Sequence, residues 1–256
     1  MGNDLKWLLG SDFHIPYDNP RYMDLWWQVQ KHFNPDVVDI LGDYDDNSAC
    51  SRYSDGKPDE IFNMVSKHTP LVKDFFKKLR ENSPDRQIHV ATGNHEIRYD
   101  DYIDKKAPAL KGIITPELLW GSDTYGLELS YYNNPPVRRF GDTFVHHGIY
   151  AVKGSGNSVY KLMEEYGVSC VVGHSHRQSQ VFRTYELKGE VRTGVELGHL
   201  TDVNSSGMGY DTLHEWQAGF AVAYIENGVT PHFQLVTIRE SSHGFSCYVD
   251  GHRFDA

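Results

Sequence analysis

The chain has 256 residues and a formal net charge of −10. This length suits one α/β domain with a large core, and the acidic balance disfavours the basic stripe that proteins use to bind along nucleic acid. Three cysteines are too few for a disulfide framework and indicate a reducing compartment, and the sequence lacks a secretory signal or a membrane-spanning apolar run, so we expect a cytoplasmic protein with no membrane partner.

Five short apolar runs, rich in β-branched residues, predict buried strands, and a polar motif follows each of them. In chain order, the runs and motifs are 6–11 before Asp12-Phe13-His14, 36–41 before Gly42-Asp43, 86–91 before Gly93-Asn94-His95-Glu96, 140–145 before His146-His147-Gly148, and 168–172 before Gly173-His174-Ser175-His176. Because open α/β sheets place ligand sites at the carboxyl ends of their strands, we expect all five motifs to face one cleft.

Helices are predicted between these motifs, and more strands are predicted after the last one. The helical segments are 19–33 behind Asn19-Pro20, 59–79 with an interruption at Pro70, and 155–166. The later strands are 180–186, 190–195, 220–226 and 231–238, with Asn227-Gly228 as a hairpin turn. We assign these four strands to a second sheet.

Nearly all the motif side chains are carboxylates, an amide or imidazoles, and no thiolate is among them. Together they supply about eight ligand positions, more than one ion needs, and such oxygen and imidazole sets suit two adjacent divalent metals. Each motif alone is common in unrelated proteins. The complete ordered set is what indicates a centre with two metal ions.

In this order the motifs resemble those of the calcineurin-like metallophosphoesterase superfamily, which read Asp-x-His, Gly-Asp, Gly-Asn-His-Glu/Asp, His and Gly-His-x-His. The resemblance implies a four-layer α/β/β/α sandwich of two mixed β-sheets flanked by helices, with 1–256 as a single domain. It also implies the metal ligands. They are Asp12, His14 and His176 for the first ion, Asn94, His146 and His174 for the second, and Asp43 as the bridge.

The resemblance further implies catalytic roles around a metal-bridging hydroxide that attacks phosphorus in line. His95 stays off the metals and donates a proton to the leaving oxygen, since histidine is the ready proton donor near neutral pH. Asp46 lies behind His95, with Asp45 as the alternative. Asn47 stands where Ser/Thr protein phosphatases carry a phosphate-binding arginine, and Arg98 is the favoured replacement.

Several assignments stay open at this point. His147 is the alternative to His146 as a ligand, and His199 is a weak candidate for the rim of the cleft. Arg138 and Arg139 read as ordinary solvated arginines rather than substrate contacts. Residues 99–139 form either a cap or insertion over the cleft, whose aromatic rings stack on a base or sugar, or a surface subdomain whose rings pack on one another.

We therefore predict a metal-dependent hydrolase of phosphomonoesters or phosphodiesters, nucleotide derivatives included. Two divalent ions per chain are expected, with Mn favoured and Fe, Zn or Ni as alternatives. One alternative function is a nuclease acting on DNA or RNA ends, which the net charge disfavours. Another is a catalytically inactive scaffold that binds proteins, although a chain of that kind typically loses ligands that are kept here.

Overall fold

The computed structural model describes residues 4–51, 62–205, 215–242 and 244–256, and these form two facing mixed β-sheets. The first sheet has the spatial order β11 (Thr230–Thr237), β10 (Gly219–Glu226), β1 (Leu5–Gly10), β2 (Val37–Leu41), β3 (Gln87–Ala91) and β4 (Glu128–Ser130). The second has the order β5 (Val137–Phe140), β6 (Thr143–Val145), β7 (Ser169–Val172), β9 (Glu190–Leu197) and β8 (Gln178–Tyr185). A small antiparallel sheet of β12 (Arg239–Ser241), β13 (Gly244–Val249) and β14 (His252–Asp255) contacts the first helix.

The α-helices of the described residues are α1 (Pro20–Phe33), α2 (Thr69–Asn82), α3 (Ile97–Lys106), α4 (Pro116–Trp120) and α5 (Asn157–Tyr166). Helix α1 starts as predicted, because the Asn19 side chain accepts hydrogen bonds from two backbone N–H groups of the first turn. Pro70 lies in the first turn of α2, which follows a π-helical turn at Met64–His68, and the predicted residues 59–61 lie outside the described ranges. None of the helices described here is long and apolar enough to cross a membrane.

Strand residues alternate between two cores, and this alternation fixes the layer order. In β1, Leu8 packs under α1 and α2, whereas Trp7 and Leu9 face the second sheet. The outer face of the second sheet is covered by α5, through Val159 and Leu162. The predicted α/β/β/α sandwich is therefore confirmed.

The assignment of β10 and β11 to the second sheet is wrong. β10 pairs antiparallel with β1, with Leu8 opposite Val222, and β11 continues the first sheet from there. Asn227 and Gly228 form the predicted turn, with φ angles of 51° and 72° that suit the two central residues of a type I′ turn, and Val229 N donates to Glu226 O (3.0 Å). β8 and β9 do join the second sheet. Alternation in a hairpin shows which side is buried, but it does not show which sheet the hairpin joins.

A buried polar network links the two sheets beside β4. Asp39 accepts hydrogen bonds from the Trp7 indole and from Arg139 Nε (3.1 Å), and its other oxygen lies 2.5 Å from His89 Nδ1. His89 Nε2 lies 2.9 Å from Ser130 Oγ. Burial acts to raise the pKa of Asp39, but the charges of His89 and Arg139 outweigh it and the pKa is lowered. Arg139 is therefore an internal ion-pair partner, and not the solvated arginine that the sequence suggested.

Residues 99–139 are anchored to the fold at a few buried positions, and much of the segment is exposed. Tyr99 and Trp120 are buried in the core under α2, and β4 extends the first sheet parallel to β3. Trp120 Nε1 donates a hydrogen bond to Asp45 Oδ2 (2.9 Å). Tyr132 follows β4 and reaches the edge of the sheets where the motifs meet, as described next.

Candidate metal centre

The loops that follow β1, β2, β3, β6 and β7 meet at one edge of the sandwich. Backbone hydrogen bonds join the loops after β1 and β2, from Asp12 N to Gly42 O (3.1 Å) and from His14 N to the carbonyl of Asp43 (2.8 Å). The loop after β7 reaches the first sheet, because His174 N donates to Asp12 Oδ2 (2.9 Å). The structure thus brings the five motifs together across both sheets.

Most of the candidate ligands sit in the left-handed backbone region. Their φ angles are 56° for Asp12, 53° for His14, 50° for Asp43, 67° for His174 and 55° for His176. This conformation costs a non-glycine residue about 1–3 kcal/mol and concentrates at functional sites. The surrounding loops therefore hold these residues at the edge of the sheets, although a non-glycine residue by itself prefers a negative φ.

Asp12, His14 and His176 lie together as a first group of candidate metal ligands, the first ligand set. Nε2 of His14 lies 3.1 Å from Nε2 of His176, which in turn lies 3.1 Å from Asp12 Oδ1. Asp12 Oδ1 is buried, and the nearby His176 nitrogen is not aligned to satisfy it with a hydrogen bond. His14 Nδ1 donates to Asp46 Oδ2 (3.1 Å), which leaves its Nε2 directed at the other two ligands. An orphaned carboxylate oxygen facing two imidazole nitrogens fits a divalent cation held among them.

The electrostatic field at this set favours positive charge. Burial acts to lower the pKa of His14, but the carboxylates of Asp46, Asp43 and Asp12 outweigh it and the pKa is raised. Burial likewise opposes ionisation of Asp12, yet the neighbouring imidazoles lower its pKa to about 2. A field that stabilises a proton on a histidine also attracts a metal ion.

Asn94, His147 and His174 lie together beside Asp43 as a second group of candidate metal ligands, the second ligand set. His147 Nε2 lies 3.1 Å from Asn94 Oδ1 and 3.2 Å from Asp43 Oδ2, while its Nδ1 donates to Leu41 O (2.7 Å). Ligand atoms of His174, His147 and Asp43 lie within 4.8 Å of one another. Burial lowers the pKa of His174 to about 4, so its imidazole is neutral and able to bind a metal near neutral pH.

The structure places His147, and not the His146 favoured from the sequence, in this group of candidate ligands. His146 Nε2 donates to the backbone oxygen of Tyr132 (3.0 Å), and His146 Nδ1 accepts from Gly148 N (3.0 Å), so both ring nitrogens are occupied outside the cluster. Successive residues of an extended strand point to opposite sides. Val145 faces the core between the sheets, and His147, two residues later, shares that side. This two-residue period was the signal in the sequence.

Asp43 lies between the two sets. Its Oδ2 is 3.2 Å from His147 Nε2 and 3.9 Å from His14 Nε2, and its Oδ1 accepts from His95 N (2.9 Å). Burial acts to raise the pKa of Asp43, but the surrounding histidines hold it well below the usual range. A Cβ at Gly93 would collide with this carboxylate, which explains the glycine. The geometry fits a carboxylate shared by two ions.

Glu96 has a structural function that the motif alone did not reveal. Its buried carboxylate accepts backbone hydrogen bonds from Asp43 N (2.9 Å), Gly93 N (2.5 Å) and Asp45 N (2.8 Å). Burial and the neighbouring Asp43 raise the pKa of Glu96 to about 8. Glu96 therefore fixes the loops after β2 and β3 relative to each other.

His95 borders the first ligand set, with its ring centroid 4.5 Å from that of His14. His95 Nδ1 lies 2.8 Å from Asp46 O and 3.2 Å from Asp46 Oδ2, so Asp46 and not Asp45 lies behind it. The Arg98 guanidinium lies against the ring, with Nη2 2.8 Å from Nε2, and Nη1 donates to Asp46 O (3.1 Å). His14, Asp46 and His95 also make a compact group of their own.

Two further side chains surround His176. The ring of His199, which the sequence marked only weakly, lies 5.6 Å from that of His176, and burial lowers its pKa to about 3. The Trp216 ring lies 4.2 Å from His176. Sequence reasoning missed Trp216, because no motif surrounds it and its neighbour in space is 40 residues away in the chain.

Comparison with known proteins finds relatives along most of the chain. The sequence model of the family described as calcineurin-like phosphoesterase matches residues 6–225. The Gene 54 protein of Mycobacterium phage D29 is 28% identical over 251 residues, 94% of this chain and 95% of the phage protein. The Gene 54 protein of Mycobacterium phage L5 is 26% identical over 224 residues, 84% of this chain and 87% of the other.

Comparison with solved structures finds a single mutant of Vps29 from Entamoeba histolytica. It has a TM-score of 0.44 and 14% identity, and the match covers 98% of this chain and 99% of that one. A dimetal phosphatase from Danio rerio has a TM-score of 0.39 and 12% identity, with 91% and 95% of the two chains covered.

Proposed function

The chain belongs to the calcineurin-like phosphoesterase family, and from this premise we propose that it hydrolyses phosphomonoesters or phosphodiesters with two divalent metal ions per chain. The observation that supports the proposal most directly is the position of Asp43. Its carboxylate lies between two sets of oxygen and imidazole ligands, 3.2 Å from His147 Nε2 in one set and 3.9 Å from His14 Nε2 in the other.

Seven residues would hold the ions in this proposal. They are Asp12, His14 and His176 for one ion, Asn94, His147 and His174 for the other, and Asp43 for both. Carboxylate, amide and imidazole ligands without a thiolate favour Mn, with Fe, Zn or Ni as alternatives. Bound there, the ions would acidify a water molecule and neutralise charge on the phosphoryl oxygens.

The remaining residues would manage the leaving group. His95 would donate a proton to the leaving oxygen, and Asp46 would orient the His95 ring through its carbonyl and carboxylate oxygens. Arg98 lies against His95 Nε2, the nitrogen that would carry the transferred proton. A substrate phosphate that attracts the Arg98 guanidinium would therefore also expose this nitrogen.

We expect His147→Ala to lower the metal content from two ions per chain to one, because it removes a ligand whose Nε2 faces both Asn94 and Asp43. His146→Gln should keep both ions, since the nitrogens of His146 bond outside the cluster. Elemental analysis of the two variants after loading with Mn²⁺ and desalting gives the comparison. The opposite result, in which His146→Gln loses an ion and His147→Ala does not, would return the ligand assignment to His146.

A turnover screen of the Mn²⁺-loaded protein tests the proposal as a whole. The panel contains mononucleotides, cyclic nucleotides, bis-phosphodiesters and oligonucleotides, each with an EDTA control. We expect metal-dependent hydrolysis within this panel. Cleavage confined to oligonucleotide ends, with strongly salt-dependent binding, would favour the nuclease alternative. Two bound ions with no turnover of any ester would favour the inactive scaffold.

The proposal includes one domain over 1–256 and a cytoplasmic location. The first sheet combines strands from both ends of the chain, β1 with β10 and β11, which supports a single unit. Cys50, Cys170 and Cys247 are buried free thiols, and we propose a reducing compartment for them.

A further inference from the structure

Two half-buried aromatic side chains flank the candidate metal centre, one beside each ligand set. The Trp216 ring lies 4.2 Å from His176 of the first set. The Tyr132 ring lies 5.8 Å from His147 of the second set, and it stacks on His146 at 5.5 Å with an angle of 28° between the planes. Neither aromatic residue is a metal ligand or the proton donor in the proposed function.

The backbone of Tyr132 is fixed on both sides. Tyr132 N donates to Thr92 Oγ1 (2.8 Å), directly before the loop that carries Asn94. Tyr132 O accepts from His146 Nε2 (3.0 Å), directly before His147. The ring is therefore held by the same two loops that supply the second ligand set.

The backbone around Trp216 is fixed in the same way. Gln217 N donates to His176 O (3.0 Å), and His199 N donates to Gln217 O (3.2 Å). On the other side, Glu215 forms an ion pair with Arg177 (3.6 Å). Trp216 thus lies between two residues whose backbone or side chain is anchored, and its ring packs against His176. The Trp216 side chain therefore loses little conformational freedom when a planar group such as a base binds to it.

We propose that Trp216 and Tyr132 are stacking platforms, and that the substrate is a phosphodiester with a nucleobase on each side of the scissile phosphate. This inference rests on the proposed function. A phosphodiester bound between the ligand sets carries two organic substituents, and an aromatic ring lies beside each set, where a base on a substituent could stack on it. Aromatic rings stack on any base, whatever its sequence. The net charge of −10 favours a substrate of dinucleotide size over a long polyanion.

A different role for the two rings would be to shield the ligand histidines from water. Shielding acts on the metals, so its loss would weaken metal binding and slow the hydrolysis of every substrate by a similar factor. Stacking acts on the base, so its loss would raise KM for substrates that carry the base. KM for substrates without the base would not change. The two roles therefore predict different results for the same variants.

The test compares a dinucleotide with forms in which one or both bases are replaced by hydrogen, so that the phosphodiester and its leaving group stay constant. Trp216→Ala and Tyr132→Ala should each raise KM for the dinucleotide about 5- to 150-fold. Both variants should keep two Mn²⁺ ions and the wild-type KM for the substrate without bases. Trp216→Phe and Tyr132→Phe should restore most of the lost affinity, and Tyr160→Ala, an exposed tyrosine on α5, is the control.

Binding of a non-cleavable analogue, with a methylene group in place of the bridging leaving oxygen, gives a readout that is independent of turnover. Trp216→Ala and Tyr132→Ala should each weaken the binding of this analogue by the same factor by which they raise KM for the dinucleotide. Equal losses on substrates with and without bases, or loss of Mn²⁺, would overturn the stacking role. Hydrolysis of p-nitrophenyl phosphate without any turnover of the dinucleotide would overturn the substrate class while the proposed function stands. Absence of turnover on every ester would overturn both.

Discussion

Replacement of Asp43 by alanine is expected to remove both metal ions and to reduce phosphate-ester turnover by at least about 10³-fold. The reason is geometric. The Asp43 carboxylate is the group that lies within reach of both ligand sets, 3.2 Å from His147 Nε2 and 3.9 Å from His14 Nε2. Loss of a ligand that serves one ion would spare the other, whereas loss of a shared ligand affects both. Elemental analysis and turnover on the same preparation measure the two effects together.

Folding must be separated from metal loss in this variant, because the Asp43 carboxylate also accepts a hydrogen bond from His95 N. Thermal unfolding in EDTA compares the metal-free proteins. Asp43→Asn keeps the size and an oxygen acceptor but removes the charge, and it should lose metal nearly as completely. Asp142→Ala, at an exposed ion pair with Arg192, is the matched control. Full turnover by Asp43→Ala would refute the shared-ligand assignment.

Replacement of His95 by asparagine is expected to leave the metal content nearly intact and to slow hydrolysis of an alkyl phosphate ester roughly 10²- to 10⁴-fold, the usual contribution of a positioned proton donor. His95 contacts Asp46 and Arg98 and belongs to neither proposed ligand set. An ester with an acidic phenol as its leaving group needs little protonation, so the hydrolysis rate of this ester should fall much less in the variant. Steady-state rates on the two esters measure the contrast within one variant.

This comparison is independent of errors in protein concentration, since both esters are assayed on one preparation. His146→Gln alters a histidine at the same edge and should show no dependence on the leaving group. Equal losses on both esters for His95→Asn would mean that His95 acts on substrate binding or metal geometry. Metal loss in this variant would point the same way, and a proton donor other than His95 would then be required.

The strands that carry the motifs were predictable because a buried strand leaves a local pattern. A short run of β-branched residues is enough to place β2 and β7, and Asn19-Pro20 is enough to start α1. The partners of β10 were not predictable, because alternation is the same whichever sheet a hairpin joins. Arg139 was read as solvated, since nothing near it in the sequence reveals that Asp39 faces it from the other sheet.

The choice between His146 and His147 shows where sequence reasoning on the site reached its limit. Spacing to the following glycine favoured His146, while the inward side of the strand, marked by Val145, favoured His147. Only the packed sheets show that Val145 faces the core and that His147 points to Asp43. The three backbone hydrogen bonds that Glu96 accepts, and the packing of Trp216 on His176, likewise depend on loops that are distant in the chain.

The sequence by itself determined the family, the kinds of ligand and the strand ends that present them, because these depend on side-chain chemistry and on periodicity within a few residues. The tertiary structure decided which histidine faces the second ligand set, that Asp43 lies between the sets, and that Tyr132 and Trp216 flank them. Ligands of one centre come from loops after strands of both sheets, so their mutual distances depend on how the sheets pack, and no local pattern encodes that packing.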